Sequence, residues 1–599
     1  MSPPASSEKV YQGIAASPGV AHGPVFLMVK KDLEVLRRDI PPDRREEEIA
    51  RFERGLLETR RQISDIRAEI EEKLGEDEAG IFDAHLLVLE DRALIEDTIR
   101  EVAETGCNIE FALKEVADRY IEAFSKINDA YIRERVTDIR DVTRRLLGNL
   151  LGSIETDINQ IPDGCILVAD DLAPSDTAKL SGKRILALAT DLGSRTSHLV
   201  IMARTLNIPC VVGLHDFSRQ VESTVPVLVD GFTGTVLLHP SERSLFRYGR
   251  IKIERAAIEK RFQAVKREAT TTKDGVPLTI RLNVEGDESG RILSDSGAEG
   301  VGLFRTEWLF LKSRVFPTEE EQFQAYRRIV EGAAPFSVTI RTLDLGGDKI
   351  PHHSLFGVTE ENPFMGIRAI RFCLQHTDIF KTQLRAILRA SAFGKVQIMY
   401  PMISSCEELI AANAVLEECK AELRKRKLDF DANVRRGSMI EIPSAAVITD
   451  LLAEHCDFFS VGTNDLVQYM LAVDRVNDRV AHLYEPHSPA VMRALKFIFD
   501  ASRREGLPVG VCGEIAGDPL FASLLFGMGA TELSLGWGSI PEVKYLLRQM
   551  KMEDAQDLAG EVLKSRTAAE IKSKLVAFYT RTIGIRFPKL VTGEANGEA

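Results

Sequence analysis

The sequence predicts a multidomain α/β protein: a (β/α)8 barrel in the C-terminal half, and before it a smaller α/β domain carrying an inserted all-α helical bundle. Three patterns predict it. Eight short strand-like runs alternate with helical stretches beyond Lys273. Between residues 161 and 238, shorter strands and helices alternate over a much smaller span. From Pro42 to Leu150 most apolar residues recur at helical spacing.

A chain of 599 residues exceeds what one hydrophobic core organises, and ordinary domain sizes imply roughly three to five units. A hydrophobic content of 44% beside 28% charged residues describes a globular protein. The formal net charge of -13 argues against general binding to nucleic acid or anionic membranes, while leaving room for a local basic pocket. The eight cysteines contain no CxxC pair, which disfavours a zinc site or a disulfide framework and fits a reducing cytoplasm. No apolar run approaches the ~20 residues of a bilayer span.

Residues 11–28 read as small-residue turns around one strand, punctuated by Ser17, Pro18 and Gly19. Between 42 and 74, Ile49, Phe52, Leu56, Ile63, Ile66, Ile70 and Leu74 recur at three, four or seven, as in an amphipathic helix. Helical pattern returns over about 79–91 and 110–150, so a bundle of two helical hairpins is expected. His85 reads as an ordinary helix-face histidine there. Strands follow at 166–169, 185–188, 209–212 and 225–229, and residues 229–236 read as a hairpin. The charged stretch 241–272, nearly free of Gly and Pro, reads as a linking helix on which a domain can pivot.

The barrel strands are expected at 278–283, 300–304, 338–343, 395–400, 438–442, 458–461, 508–512 and 532–535. The domain plan is thus 1–30 with 151–240 (α/β), 31–150 (helical), 241–272 (linker) and 273–590 (barrel), with a frayed tail at 591–599.

Two places concentrate chemistry. His198 ends the run Gly193-Ser194-Arg195-Thr196-Ser197-His198 at the mouth of an expected helix, after an apolar strand-like stretch. A helix start offers unpaired N–H groups and partial positive charge, which favour a neutral imidazole and then a phosphate. The second place is the barrel rim, since barrel chemistry sits at the C-terminal ends of the strands. Arg305 closes the second strand, Arg341 lies in the third, and Arg368 and Arg475 follow in loops. Guanidinium forks match phosphate and carboxylate oxygens bidentately, so several on one rim suit a doubly anionic substrate. Glu441, following the apolar pair Met439-Ile440 of the fifth strand, and Asp465, after the sixth, suit one hard divalent ion such as Mg2+. Cys512 ends the seventh strand and is a candidate proton donor in the same mouth.

These segments resemble the Enzyme I family of bacterial phosphotransferase systems over nearly the whole chain, from Gly13 to the last barrel strand. The most specific blocks are 193–198, 302–307, 341–349, 361–368, and 462–466 with 473–475. The resemblance implies a swivelling α/β phosphohistidine domain whose His198 takes phosphate at the barrel and passes it to a histidine of the small carrier HPr. The inserted helical domain would dock HPr, as the first step of sugar transport by such a system. It further implies that Arg305, Arg341, Lys349, Arg368 and Arg475, helped by Asn464, hold phosphoenolpyruvate, and that Glu441 and Asp465 carry Mg2+. Thr177 would orient His198, Cys512 would protonate the enolate carbon to give pyruvate, and the barrel would form a homodimer. Dikinase and synthase relatives carry a nucleotide-binding domain ahead of the histidine domain. Residues 30–150 are helical here and lack a Gly-rich phosphate loop, so direct use of ATP is not expected. Two departures from the family stand out: Leu199-Val200 after the histidine, and the eighth-strand turn Leu535-Gly536-Trp537-Gly538-Ser539.

Overall fold

A computed structural model describes residues 8–28, 35–74, 76–125, 130–152, 161–172, 184–193, 198–206, 208–286, 293, 295–311, 316–346, 362–475, 477 and 480–584. The chain divides into two compact units between Ile253 and Glu254.

The first unit contains an eight-stranded sheet, β1 (Lys9–Gln12), β2 (Ile14–Ser17), β3 (Val20–Met28), β4 (Ile166–Ala169), β5 (Ala187–Thr190), β6 (Cys210–Val212), β7 (Pro226–Asp230) and β8 (Thr235–Leu238). Its order is β1-β8-β7-β3-β4-β5-β6-β2, with β3 to β6 parallel and β7 and β8 forming the expected antiparallel hairpin. Residues 11–28 correct the sequence reading: they make three strands instead of turns around one. Their partners lie about two hundred residues away, Lys9 opposite Leu238 and Ile14 opposite Val212, so no local periodicity announces them. Gly19 has φ +139°, and a Cβ there would stand 2.5 Å from Pro209, so this tight crossing requires glycine.

The helical block is also richer than two hairpins. Among the described residues it holds five helices: Arg45–Leu74, Glu76–Leu89, Arg92–Thr105, Ile109–Ser125 and Ala130–Leu151. The third escaped the sequence reading because it buries only Leu94, Thr98 and Val102. Its ends are nevertheless marked, by Asp91 accepting from the N–H groups of Ala93 and Leu94 and by Gly106 in the left-handed region. Phe52, Ile63, Phe82, Val102, Ile109, Leu113 and Leu146 pack into the bundle core. His85 is buried beside Phe82, its Nε2 3.3 Å from Asp138.

A helix runs over Glu242–Val265, shorter than the 241–272 expected. Beyond it Thr270 accepts the N–H of Leu278, and Thr271 bridges to Pro277, which turns the chain into the first barrel strand.

The second unit is a closed, all-parallel barrel of β9 (Thr279–Glu285), β10 (Val301–Arg305), β11 (Ser337–Arg341), β12 (Lys395–Tyr400), β13 (Arg435–Ile440), β14 (Phe458–Val461), β15 (Val509–Val511) and β16 (Glu532–Leu535). All eight expected strands are present. β13 starts three residues early, where Arg435, Arg436 and Gly437 pair with Gln397, Ile398 and Met399 of β12. Leu303, Met399, Met439, Phe458 and Cys512 pack together as a plug of apolar side chains, and barrel chemistry sits at the C-terminal strand ends. No helix among the described residues is long and apolar enough to cross a membrane.

Candidate active site

The strand ends converge on a cavity of about 160 Å3 whose wall includes Arg305, Arg341, Glu441, Asn464, Asp465, Arg475 and Cys512. Seven of the expected site residues therefore share one space. Arg368 does not line it. It lies behind the wall, 2% exposed, with Nε 3.0 Å from Asp344 Oδ1, Nη2 3.3 Å from Asp465 Oδ2 and Nη1 donating to the Tyr469 hydroxyl at 3.2 Å. Lys349 and Thr177 fall outside the described residues.

Each side chain is held by backbone that the sequence sets. Arg305 and Arg341 are the last residues of β10 and β11. Glu441 directly follows β13, and its Oε1 accepts the N–H of Met402 at 2.6 Å. Gly462, after β14, lets this carboxylate in: a Cβ there would meet Glu441 Oε2 at 2.5 Å. Asp465 then sits in the first turn of the helix Thr463–Leu471, where a carboxylate is favoured by the helix dipole. Asn464 is fixed by both ends of its amide, which donates to Glu514 Oε1 at 3.0 Å and accepts the Glu514 N–H at 2.8 Å.

Sequence reading missed the residues that order the cationic wall. Glu307 Oε1 takes Arg341 Nη2 at 2.9 Å, and Asp344 Oδ2 takes Arg341 Nη1 at 3.0 Å. Burial opposes the charge on Arg341 and Arg368, but the surrounding carboxylates outweigh it and raise both above the ordinary guanidinium range. The signal was present, since Glu307 and Asp344 stand two and three residues from the arginines named from sequence. Only the fold makes them a chain of alternating charge running from Glu307 through Arg341, Asp344 and Arg368 to Asp465.

The carboxylates fit a divalent cation. Burial, then the nearby Asp465 and Asp344, push Glu441 up to about 8, and Asp465 Oδ1 is buried with no hydrogen-bond partner. Arg368 and Arg475 stand 3.3 and 4.0 Å from the Asp465 oxygens, and the crowded carboxylates with one buried oxygen free of hydrogen bonds leave a place for a divalent ion. Among the described residues no group of three or more His, Cys, Asp or Glu is arranged to hold a metal alone, so an ion here would complete its shell from substrate and water, as Mg2+ does.

The Cys512 thiol is 2% exposed and lies 3.6 Å from the Val461 carbonyl. Burial pushes its pKa up to about 11, against a lowering hydrogen bond from Ser460, so it carries its proton at neutral pH. Past β16, the eighth-strand turn leaves Trp537 63% exposed. In the first unit, His198 is the first residue of the helix His198–Thr205, eight residues after β5. Leu199 and Val200 are buried with Leu167, Ala169 and Leu188, which accounts for that departure: they seat the helix on the sheet.

Fold and site define a class, the phosphoenolpyruvate-utilising enzymes. Residues 12–135 match the family model of the PEP-utilising enzyme N-terminal domain, 161–234 that of the mobile domain, and 259–552 that of the PEP-binding domain. The chain is 42% identical over 573 residues to the phosphoenolpyruvate-protein phosphotransferase of Listeria innocua, covering 96% of this chain and 99% of that one. It is 41% identical over 579 residues to that of Bacillus sp. (strain S), covering 96% and 99%, and 39% identical over 572 residues to that of Bacillus subtilis, covering 95% and 99%. The chain belongs to the phosphoenolpyruvate-protein phosphotransferase family.

Proposed function

We propose that this protein moves the phosphoryl group of phosphoenolpyruvate to its own His198 and then to a histidine of an HPr-type carrier, releasing pyruvate as the first step of a sugar phosphotransferase system. The observation that carries this reading is the joining of three arginines, the carboxylates Glu441 and Asp465 among four, and a protonated thiol around one barrel-mouth cavity.

Arg305, Arg341 and Arg475, with Asn464 and Lys349, bind the phosphate and carboxylate of the substrate. Arg368 contributes from behind, because its donors are spent on Asp344, Asp465 and Tyr469. Glu441 and Asp465 would hold Mg2+, which when bound neutralises charge on the transferring phosphoryl group. In the first transfer the bond from phosphorus to the enol oxygen breaks and a bond to an imidazole nitrogen of His198 forms. The enolate takes a proton at its terminal carbon from the Cys512 thiol, which recovers one from solvent. Positioning and charge neutralisation dominate such a loose transition state, so a pre-ordered cationic wall is the main catalytic device.

The domain roles follow the same reading: residues 1–30 with 151–240 as the phosphohistidine domain, oriented at His198 by Thr177, 31–150 as the carrier-docking domain, 241–272 as linker and 273–590 as the substrate-binding and dimerising barrel. A homodimer in the cytoplasm is expected. Incubation with Mg2+ and phosphoenolpyruvate labelled in its phosphate tests the reading. Acid-labile label on the wild-type chain, absent from His198→Ala, supports it; label that persists in His198→Ala overturns it.

A further inference from the structure

We propose that Glu285 is an internal competitor for the anion position at Arg305, a carboxylate that occupies this guanidinium until the substrate displaces it. The inference rests on reading the barrel mouth as the phosphoenolpyruvate site.

Glu285 and Arg305 are the last residues of β9 and β10, and the parallel register sets them directly opposite each other. Arg305 Nη1 pairs with Glu285 Oε1. The other guanidinium pairs of the wall are of a different kind. Glu307, Asp344 and Asp465, which hold Arg341 and Arg368, are between 1% and 9% exposed at their side chains, so breaking them strands a buried charge. Glu285 is 61% exposed and Arg305 34%. Its carboxylate can swing into water at little cost, because an exposed ion pair shifts an equilibrium by about fivefold or less.

Arg305 nevertheless faces the cavity, and its Nε is buried without a hydrogen-bond partner. A guanidinium that serves the cavity and is paired to an exchangeable carboxylate beside it has two states, self-neutralised and substrate-bound. An anion that takes Arg305 must first expel Glu285, so its affinity is lowered by the strength of the pair. The same competition returns Arg305 to Glu285 once the phosphoryl group has left, which opposes occupation of the emptied site by inorganic phosphate.

The test uses the full chain in a His198→Ala background, where phosphoenolpyruvate binds without being consumed. Titration calorimetry with Mg2+ compares Glu285 with Glu285→Gln and Glu285→Ala. Both variants are expected to bind phosphoenolpyruvate and inorganic phosphate about threefold to fivefold tighter, with the gain shrinking at high salt and the thermal midpoint unchanged within a few degrees. Unchanged or weaker affinity in folded variants overturns the proposal, as does tightening by Glu285→Gln alone, which would assign the effect to a contact of the amide. Failure of the His198→Ala chain to bind phosphoenolpyruvate at all is a different result, and it overturns the functional reading itself.

Discussion

Asp344 grips Arg368 with both carboxylate oxygens, Oδ1 3.0 Å from Nε and Oδ2 3.2 Å from Nη2, at a point where neither side chain is more than 3% exposed. Since Asp344 also takes Arg341 Nη1 at 3.0 Å, one buried carboxylate orders two of the arginines that the sequence offers for anion binding.

Asp344→Asn keeps the shape and removes the charge. Losing one partner of a buried charge cluster costs about 3 kcal/mol, and the mis-set arginines are expected to slow labelling of His198 by about a hundredfold. Denaturant unfolding and the rate of label incorporation check the two effects separately. A slow rate with full stability would mean that Asp344 acts on the substrate directly.

Gly462→Ala places a methyl group 2.5 Å from Glu441 Oε2 and 2.9 Å from Met439 Sδ. The carboxylate must move, so the Mg2+ concentration for half-maximal labelling is expected to rise about tenfold. A Mg2+ titration that superimposes on wild type would show that Glu441 does not hold the ion.

Cys512 holds its proton up to about pH 11. Alkylation of this thiol by iodoacetamide at pH 8 is therefore expected to lag behind that of the half-buried Cys406, and Cys512→Ala is expected to slow pyruvate release far more than it weakens Mg2+ binding. Mass spectrometry of the alkylated chain and a coupled pyruvate assay read these out. Equal loss of both functions would make the residue a packing element of the barrel plug.

On the outer face of the barrel, Glu319 binds Arg385 at 2.7 Å, Arg389 at 3.0 Å and Arg426 at 3.0 Å. Burial alone would raise its pKa, but the three guanidinium hydrogen bonds prevail and bring it down to about 2. A carboxyl group lowered on folding stabilises the protein above its unfolded value of 4.5, and that contribution disappears as pH falls towards 2. Glu319→Gln should cost about 2 kcal/mol at pH 7 through lost charged hydrogen bonds, and flatten the fall in stability between pH 4.5 and 2. Urea midpoints of both chains across that range decide it.

Much of the barrel was legible because its strands are buried and locally periodic. The runs 395–400, 458–461 and 532–535 coincide with β12, β14 and β16, and Arg305, Arg341, Glu441 and Cys512 sit at or just past strand ends where the pattern turns polar. The strands β1 and β2 were not legible, because pairing across two hundred residues leaves no mark on neighbouring side chains.

What the sequence determined by itself was the succession of elements and the residue types at their ends, since periodicity, caps and turn residues act over a few positions. What only the tertiary structure decided was which charges share a cavity and which stand behind it. Arg305 and Arg368 look alike along the chain, yet one faces the cavity beside an exposed Glu285 and the other is locked between Asp344 and Asp465. Electrostatic roles depend on burial and on neighbours brought from distant strands, and those are properties of the closed barrel.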